Sequence, residues 1–143
     1  MSRRHEIQFT PGELTEFLSQ PHKAALATID KEGFPHVVAM GYRYKDGVIY
    51  MTSYGKAQKV LNIRRNPKVS LMVEAGSAYA ELKGVMVRGH CEIAEGAEAV
   101  AEVFAWMAED RREPRPAGAI QPAAAAGGCA GFCAGCGDEA EAR

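Results

Sequence analysis

Apolar and polar positions alternate with a period of two over residues 23–29, 34–44, 48–52, 68–74 and 84–93, which predicts strands at those places. Asp46-Gly47 separates the second run from the third and is a hairpin signal, so these two strands are expected to be antiparallel neighbours. Along 35–44, one face carries His36, Val38, Met40, Tyr42 and Tyr44, and the other Val37, Ala39, Gly41 and Arg43. Ala39 and Gly41 leave room for a flat group to approach the backbone, although a strand glycine also marks a bulge or a barrel bend.

Helical spacing replaces the alternation in three segments. Thr10-Pro11-Gly12-Glu13 combines an N-cap threonine, a proline at the first helical position and a glutamate three residues after the cap, with Phe9 and Leu14 at hydrophobic-staple positions. Leu14, Phe17 and Leu18 form its apolar stripe, and it is expected to stop before Pro21. Lys56 to Asn66 reads as a basic helix stopped by Pro67, and 97–108 as a third helix with Val100, Val103, Phe104 and Met107 on one side. Trp106 is read as a packing or interface residue. The basic helix is therefore an insertion in an antiparallel β meander.

That insertion carries the candidate chemistry. Thr52 and Ser53 end a strand, Gly55 gives a flexible turn, and the helix start presents unpaired amides, with Lys56 and Lys59 one turn apart. Together they outline an anion site that suits a phosphate. The same segment also fits a surface helix whose lysines are merely solvated.

The chain has 143 residues, 47% apolar and 24% charged, which suits one globular domain with an adequate core. A net charge of −1 argues against the broad basic surface that general nucleic-acid binding needs. No apolar run reaches the roughly 18 residues of a membrane span, and the start leads to no signal-peptide core, so the expectation is a cytoplasmic protein without membrane partners. The domain is placed at 1–110. Residues 111–143 are rich in Ala, Gly, Pro and Cys and read as a low-complexity, disordered tail without a further strand.

The residues resemble the FMN-binding split barrels of the pyridoxamine 5′-phosphate oxidase-like superfamily, which includes deazaflavin (F420)-dependent reductases. The resemblance runs through Ala25-Leu26-Ala27-Thr28-Ile29-Asp30, Gly33-Phe34-Pro35-His36-Val37, Asp46-Gly47-Val48-Ile49-Tyr50 and 84–93. Its most specific piece is Asn62-Ile63-Arg64-Arg65-Asn66-Pro67-Lys68-Val69-Ser70-Leu71, and it covers about two thirds of the chain. It implies a mainly β fold with flanking helices: a six-stranded antiparallel split β-barrel with one end closed by the first helix. It further implies a homodimer binding FMN or F420 at its interface for hydride transfer with a small organic substrate. By the same resemblance the ring lies along backbone at Val38, Ala39 and Met40. The phosphate falls to Thr52 and Lys59, with Ser53, Lys56 and Gln58 beside them. The arginine usual before that lysine is Gln58 here, which leaves a deazaflavin open. The longer chain and arginine-containing segment of a true pyridoxamine phosphate oxidase are absent, which disfavours vitamin B6 oxidation. A non-enzymatic flavin or haem carrier or sensor is the alternative, and a cofactor-free interaction scaffold a third reading.

No catalytic residue and no metal site are assigned. His22, His36 and His90 have neither triad nor metal-ligand spacing. Arg64, Arg65 and Lys68 read as a solvated helix end, or as cations for the acidic tail of F420. Cys91 alternates with Val85, Val87 and Ile93 and is expected in the core. Cys129, Cys133 and Cys136 have a C-x₃-C-x₂-C spacing resembling the radical SAM cluster motif, but they stand in the tail, and the chain is too short for that enzyme's barrel. Without a recognisable last strand the barrel is expected to leave an open edge for a partner subunit to cover.

Overall fold

The computed structural model describes residues 8–109, 129–135 and 140–142, and side chains within 8–105; the expectations for Trp106, Met107 and Cys136 lie outside these. The element order is α1 (Pro11–Ser19), β1 (Lys23–Ile29), β2 (Pro35–Gly41), β3 (Arg43–Lys45), β4 (Val48–Tyr54), α2 (Gln58–Arg65), β5 (Lys68–Ala75), β6 (Lys83–Ala94), α3 (Ala97–Glu109), β7 (Cys129–Gly135) and β8 (Ala140–Ala142). Six strands are long; β3 and β8 have three residues each. The fold is the expected mainly β split barrel with flanking helices, its described strand pairs all antiparallel in the order β2-β1-β5-β6-β7-β4-β3, with β8 also on β6.

Local chemistry explains where the elements start and turn. Thr10 caps α1 in a capping box: its N–H donates to Glu13 Oε2 (2.8 Å) and its Oγ1 accepts from Glu13 N–H (3.3 Å). The Thr10 N–H and, next, the Thr10 hydroxyl, which also donates to Glu13 Oε2 (2.8 Å), hold the Glu13 carboxyl below the usual range. Between β1 and β2, Asp30 Oδ1 accepts from the amides of Glu32 (2.8 Å) and Phe34 (2.9 Å), and Gly33 supplies the left-handed residue at φ +89°. Asp46 and Gly47, both at positive φ, form the predicted turn, but it joins β4 only to the short β3: the run expected as one strand over 34–44 breaks at Tyr42, and its first part, β2, pairs with β1 instead.

The barrel core is built from alternate strand residues. Ala24 and Leu26 of β1, Ile49 and Met51 of β4, Val69, Leu71 and Val73 of β5, and Val85, Val87 and Cys91 of β6 are buried, with Phe17 and Leu18 of α1 and Val60 and Ile63 of α2. Cys91 is in the core, as expected. Phe9, Phe17 and His22 stack in succession where α1 meets the sheet, with ring centroids 5.1 and 4.7 Å apart. Among the described residues no helix is long and apolar enough to cross a membrane.

One expectation is corrected here. Part of the segment read as a structureless tail is β7, which pairs along its length with β4, from Val48↔Gly135 to Tyr54↔Cys129, and also with β6 from His90 to Ala94. Cys, Ala and Gly show no apolar alternation and little strand propensity, so the sequence pattern does not reveal it. The strand is specified by two neighbouring edges whose backbone groups need partners. The edges of β4 and β6 are thus paired within the chain rather than left for a partner subunit.

Two outcomes follow from this packing. Ending the chain at residue 117 removes β7 and β8 and is expected to lower Tm by at least ~10 °C or abolish cooperative unfolding; an unchanged melting curve would show that β7 does not complete the barrel. Tyr42 is buried between β2 and β3 with no partner for its hydroxyl, and burial pushes its pKa from 10.0 up to about 12, against the opposing effect of Arg43. The folded state therefore disfavours the phenolate. That stability component is complete below pH 10 and is lost as pH rises through about 12. Tyr42→Phe should be at least as stable as wild type at neutral pH and lose less stability above pH 10 in denaturant titrations; a parallel alkaline decline in both proteins would contradict this.

Candidate functional site

The connection from β4 to α2 gathers five of the residues singled out in the sequence. Thr52 and Ser53 are half-buried at the end of β4. The chain then turns, with Ala57 N–H donating to the Tyr54 carbonyl (2.9 Å), through exposed Lys56 into a helix that begins at exposed Gln58 and half-buried Lys59. Ala57 stands at the N-cap, where no side chain caps the helix. The first amides of α2 thus lack both an intrahelical and a side-chain acceptor. Ser53 Oγ is buried without a hydrogen-bond partner. An anion at the helix start would supply acceptors for those amides and a partner for this hydroxyl, with Lys59 as its countercharge. The residues present therefore fit a phosphate group.

Gln58 and the helix-end arginines have partners within the chain. Gln58 Nε2 donates to Asn62 Oδ1 (2.8 Å), and Arg65 donates to the same oxygen (2.6 Å). Arg64 pairs with Glu95 at the surface. Gln58 is thus turned along its own helix, and both arginines have protein partners.

Asn62 is the residue that the sequence reading missed. It is fully buried, and its Nδ2 donates to the equally buried Thr28 Oγ1 (3.0 Å), which in turn donates to the His36 carbonyl (3.4 Å). Its position between Val60 and Ile63, on the buried side of α2, was the available signal. His36 Nδ1 is also buried without a partner.

The strand reached by this chain of bonds is β2. Among the described residues it forms a ladder with β1 alone, so its other edge retains main-chain donors and acceptors, and it approaches β4 across the split of the barrel. Val38 and Met40 turn inward against the core, whereas Val37, Ala39 and Gly41 are exposed. A Cβ on Gly41 would meet no atom within 4 Å, and its φ lies outside the left-handed region, so packing within this chain does not require glycine there. The outward face continues across the sheet in the row Ala39, Ala25, Met72, Met86, with Val37 and Ala27 beside it. Val37, Met72 and Met86 are exposed on it. Among the described residues no group of His, Cys, Asp and Glu is arranged to hold a metal ion.

Comparison with known proteins agrees with this fold. The family model for pyridoxamine 5′-phosphate oxidase matches residues 10–127. An F420H(2)-dependent biliverdin reductase of Mycobacterium tuberculosis (strain CDC 1551 / Oshkosh) is 29% identical over 102 residues, covering 70% of this chain and 71% of that protein. A conserved hypothetical protein from Mycobacterium tuberculosis has a crystal structure that superposes with a TM-score of 0.73 at 29% identity, over 93% of this chain and 84% of the other. The haem storage protein HutZ from Vibrio cholerae shares the fold at a TM-score of 0.68 and 18% identity, over 92% and 93% of the two chains.

Proposed function

We propose, from the premise that this chain belongs to the pyridoxamine 5′-phosphate oxidase family, that it is an oxidoreductase using F420 or FMN for hydride transfer with a small organic substrate. The observation that carries the reading is the uncapped, lysine-bearing start of α2 beside the buried, unpartnered Ser53 hydroxyl. Lys59, Thr52, Ser53 and the amides of α2 hold the phosphate, with Lys56 at the rim. The flat ring lies along the open edge of β2 at Val38, Ala39 and Met40, where the missing side chain of Gly41 leaves space. The bound cofactor supplies the hydride chemistry; the protein binds it, orients its ring and limits water around it. F420 is the first cofactor to test, because the relative matched over 70% of the chain is named for it.

The exposed apolar row from Ala39 to Met86 supports a homodimer packed through this face, which would cover the ring and shield the row from water. Cys91, a buried thiol rather than half of a disulfide, suits a cytoplasmic setting.

Titration of the purified apo-protein with F420 and with FMN tests the reading, and saturable binding of one of them at micromolar concentration or below is expected. Lys59→Ala should weaken that binding by about 1.5–3 kcal/mol, as for loss of a charge-assisted hydrogen bond. An unchanged dissociation constant would remove Lys59 from the site. Light scattering on the same samples should give a dimer; cofactor bound to a monomer would take the interface out of the reading. A Soret band in the purified protein, with neither flavin bound, would replace it with haem binding.

A further inference from the structure

The Asn62 carboxamide lies at the crossing of two sets of bonds. Within α2, its Oδ1 accepts from Gln58 Nε2 one turn before it and from Arg65 almost one turn after it. Out of the helix, its Nδ2 donates to Thr28 Oγ1 on β1, which donates to the backbone carbonyl of His36 on β2. Lys59 stands one turn before Asn62 in α2, and His36 stands two residues before Val38 in β2. Thr28 and His36 are also direct partners in the β1–β2 ladder.

Both side chains are fully buried, so each must keep its partner or leave a polar atom unpaired in the barrel. The oxygen is satisfied within α2, but the nitrogen keeps Thr28 Oγ1 only with α2 seated at one height and rotation over the end of β1. Val60 and Ile63 pack the same helix face into the core, but apolar contacts alone tolerate sliding and rotation better than a directional hydrogen bond does.

We infer that Asn62 is the positioning residue of the cofactor site: through Thr28 it fixes the start of α2, which takes the phosphate, at a set spacing from β2, along which the ring lies. This rests on the reading under Proposed function and adds to it a residue that touches neither phosphate nor ring. The spacing matters only to a ligand that reaches both ends. A ring without its phosphate occupies the β2 end alone and is indifferent to it.

The test compares a phosphorylated cofactor with its phosphate-free counterpart on wild type, Thr28→Val and Asn62→Leu. The pairs are FMN with riboflavin, and F420 with the deazaflavin that carries its ribityl chain alone. Thr28→Val is close in shape and leaves the Gln58–Asn62–Arg65 bonds in place, so it cuts the link without opening the core and serves even where Asn62→Leu does not fold. Expected is a loss of about tenfold in affinity for the phosphorylated member and less than about twofold for the phosphate-free one, with the variant still cooperatively folded. Equal losses for both members, or no loss for either, would overturn the inference, since a merely structural role moves the two together. The wild-type titration separates the two levels. A wild type with no preference for the phosphorylated member removes the phosphate site and the inference with it. A wild-type preference that Thr28→Val keeps in full overturns the inference alone.

Discussion

The hydrogen bond between Asn62 and Thr28 is the constraint around which the barrel and its candidate site are arranged. Both residues are inaccessible to solvent inside an otherwise apolar core. A typical buried hydrogen bond contributes only about 1 kcal/mol net, but breaking this one strands two polar groups at a cost of about 1–3 kcal/mol. The helix that interrupts the β meander therefore has one seat. Val60 and Ile63 fill the barrel beneath it, the Pro67 carbonyl accepts from Cys91 N–H (2.8 Å) as the chain enters β5, and the N-terminus of α2 is left facing the end of β4.

Much of this was legible in the sequence because it is written in local chemistry. The capping box at Thr10 and Glu13, the Asp46-Gly47 turn and the alternation of β1, β4, β5 and β6 each depend on residues close together in the chain. The cluster from Thr52 to Lys59 was visible for the same reason. The pattern failed where specification is tertiary. Apart from Phe132, β7 is a run of small residues made into a strand by the edges of β4 and β6, and no alternation in Cys129–Gly135 anticipates those partners. Asn62 looked like one polar residue on a basic helix until Thr28, 34 positions earlier, was placed beneath it. The resemblance placed Gln58 beside the phosphate, and the bond of its side chain along the helix to Asn62 depends on that same buried residue.

The same economy shapes the surface. Arg64 is paired with Glu95 and Arg65 is turned back onto the Asn62 amide, whereas Lys59 stands at the start of α2, where the helix dipole adds to its charge. β2 keeps one main-chain edge and an exposed face of Val37, Ala39 and Gly41, and the adjacent strands extend that face with Met72 and Met86. The start of α2 thus offers a candidate anion-binding corner, and the outward faces of β2, β1, β5 and β6 an exposed apolar strip.

The most direct test of this arrangement is amide NMR of the ¹⁵N-labelled protein during titration with F420 or FMN. The largest perturbations are expected at the amides of Gln58 and Lys59 and at Ser53, with a second group at Val38, Ala39 and Met40, saturating together. Perturbations centred elsewhere on the barrel, or confined to one group, would contradict a cofactor held at both the start of α2 and the edge of β2.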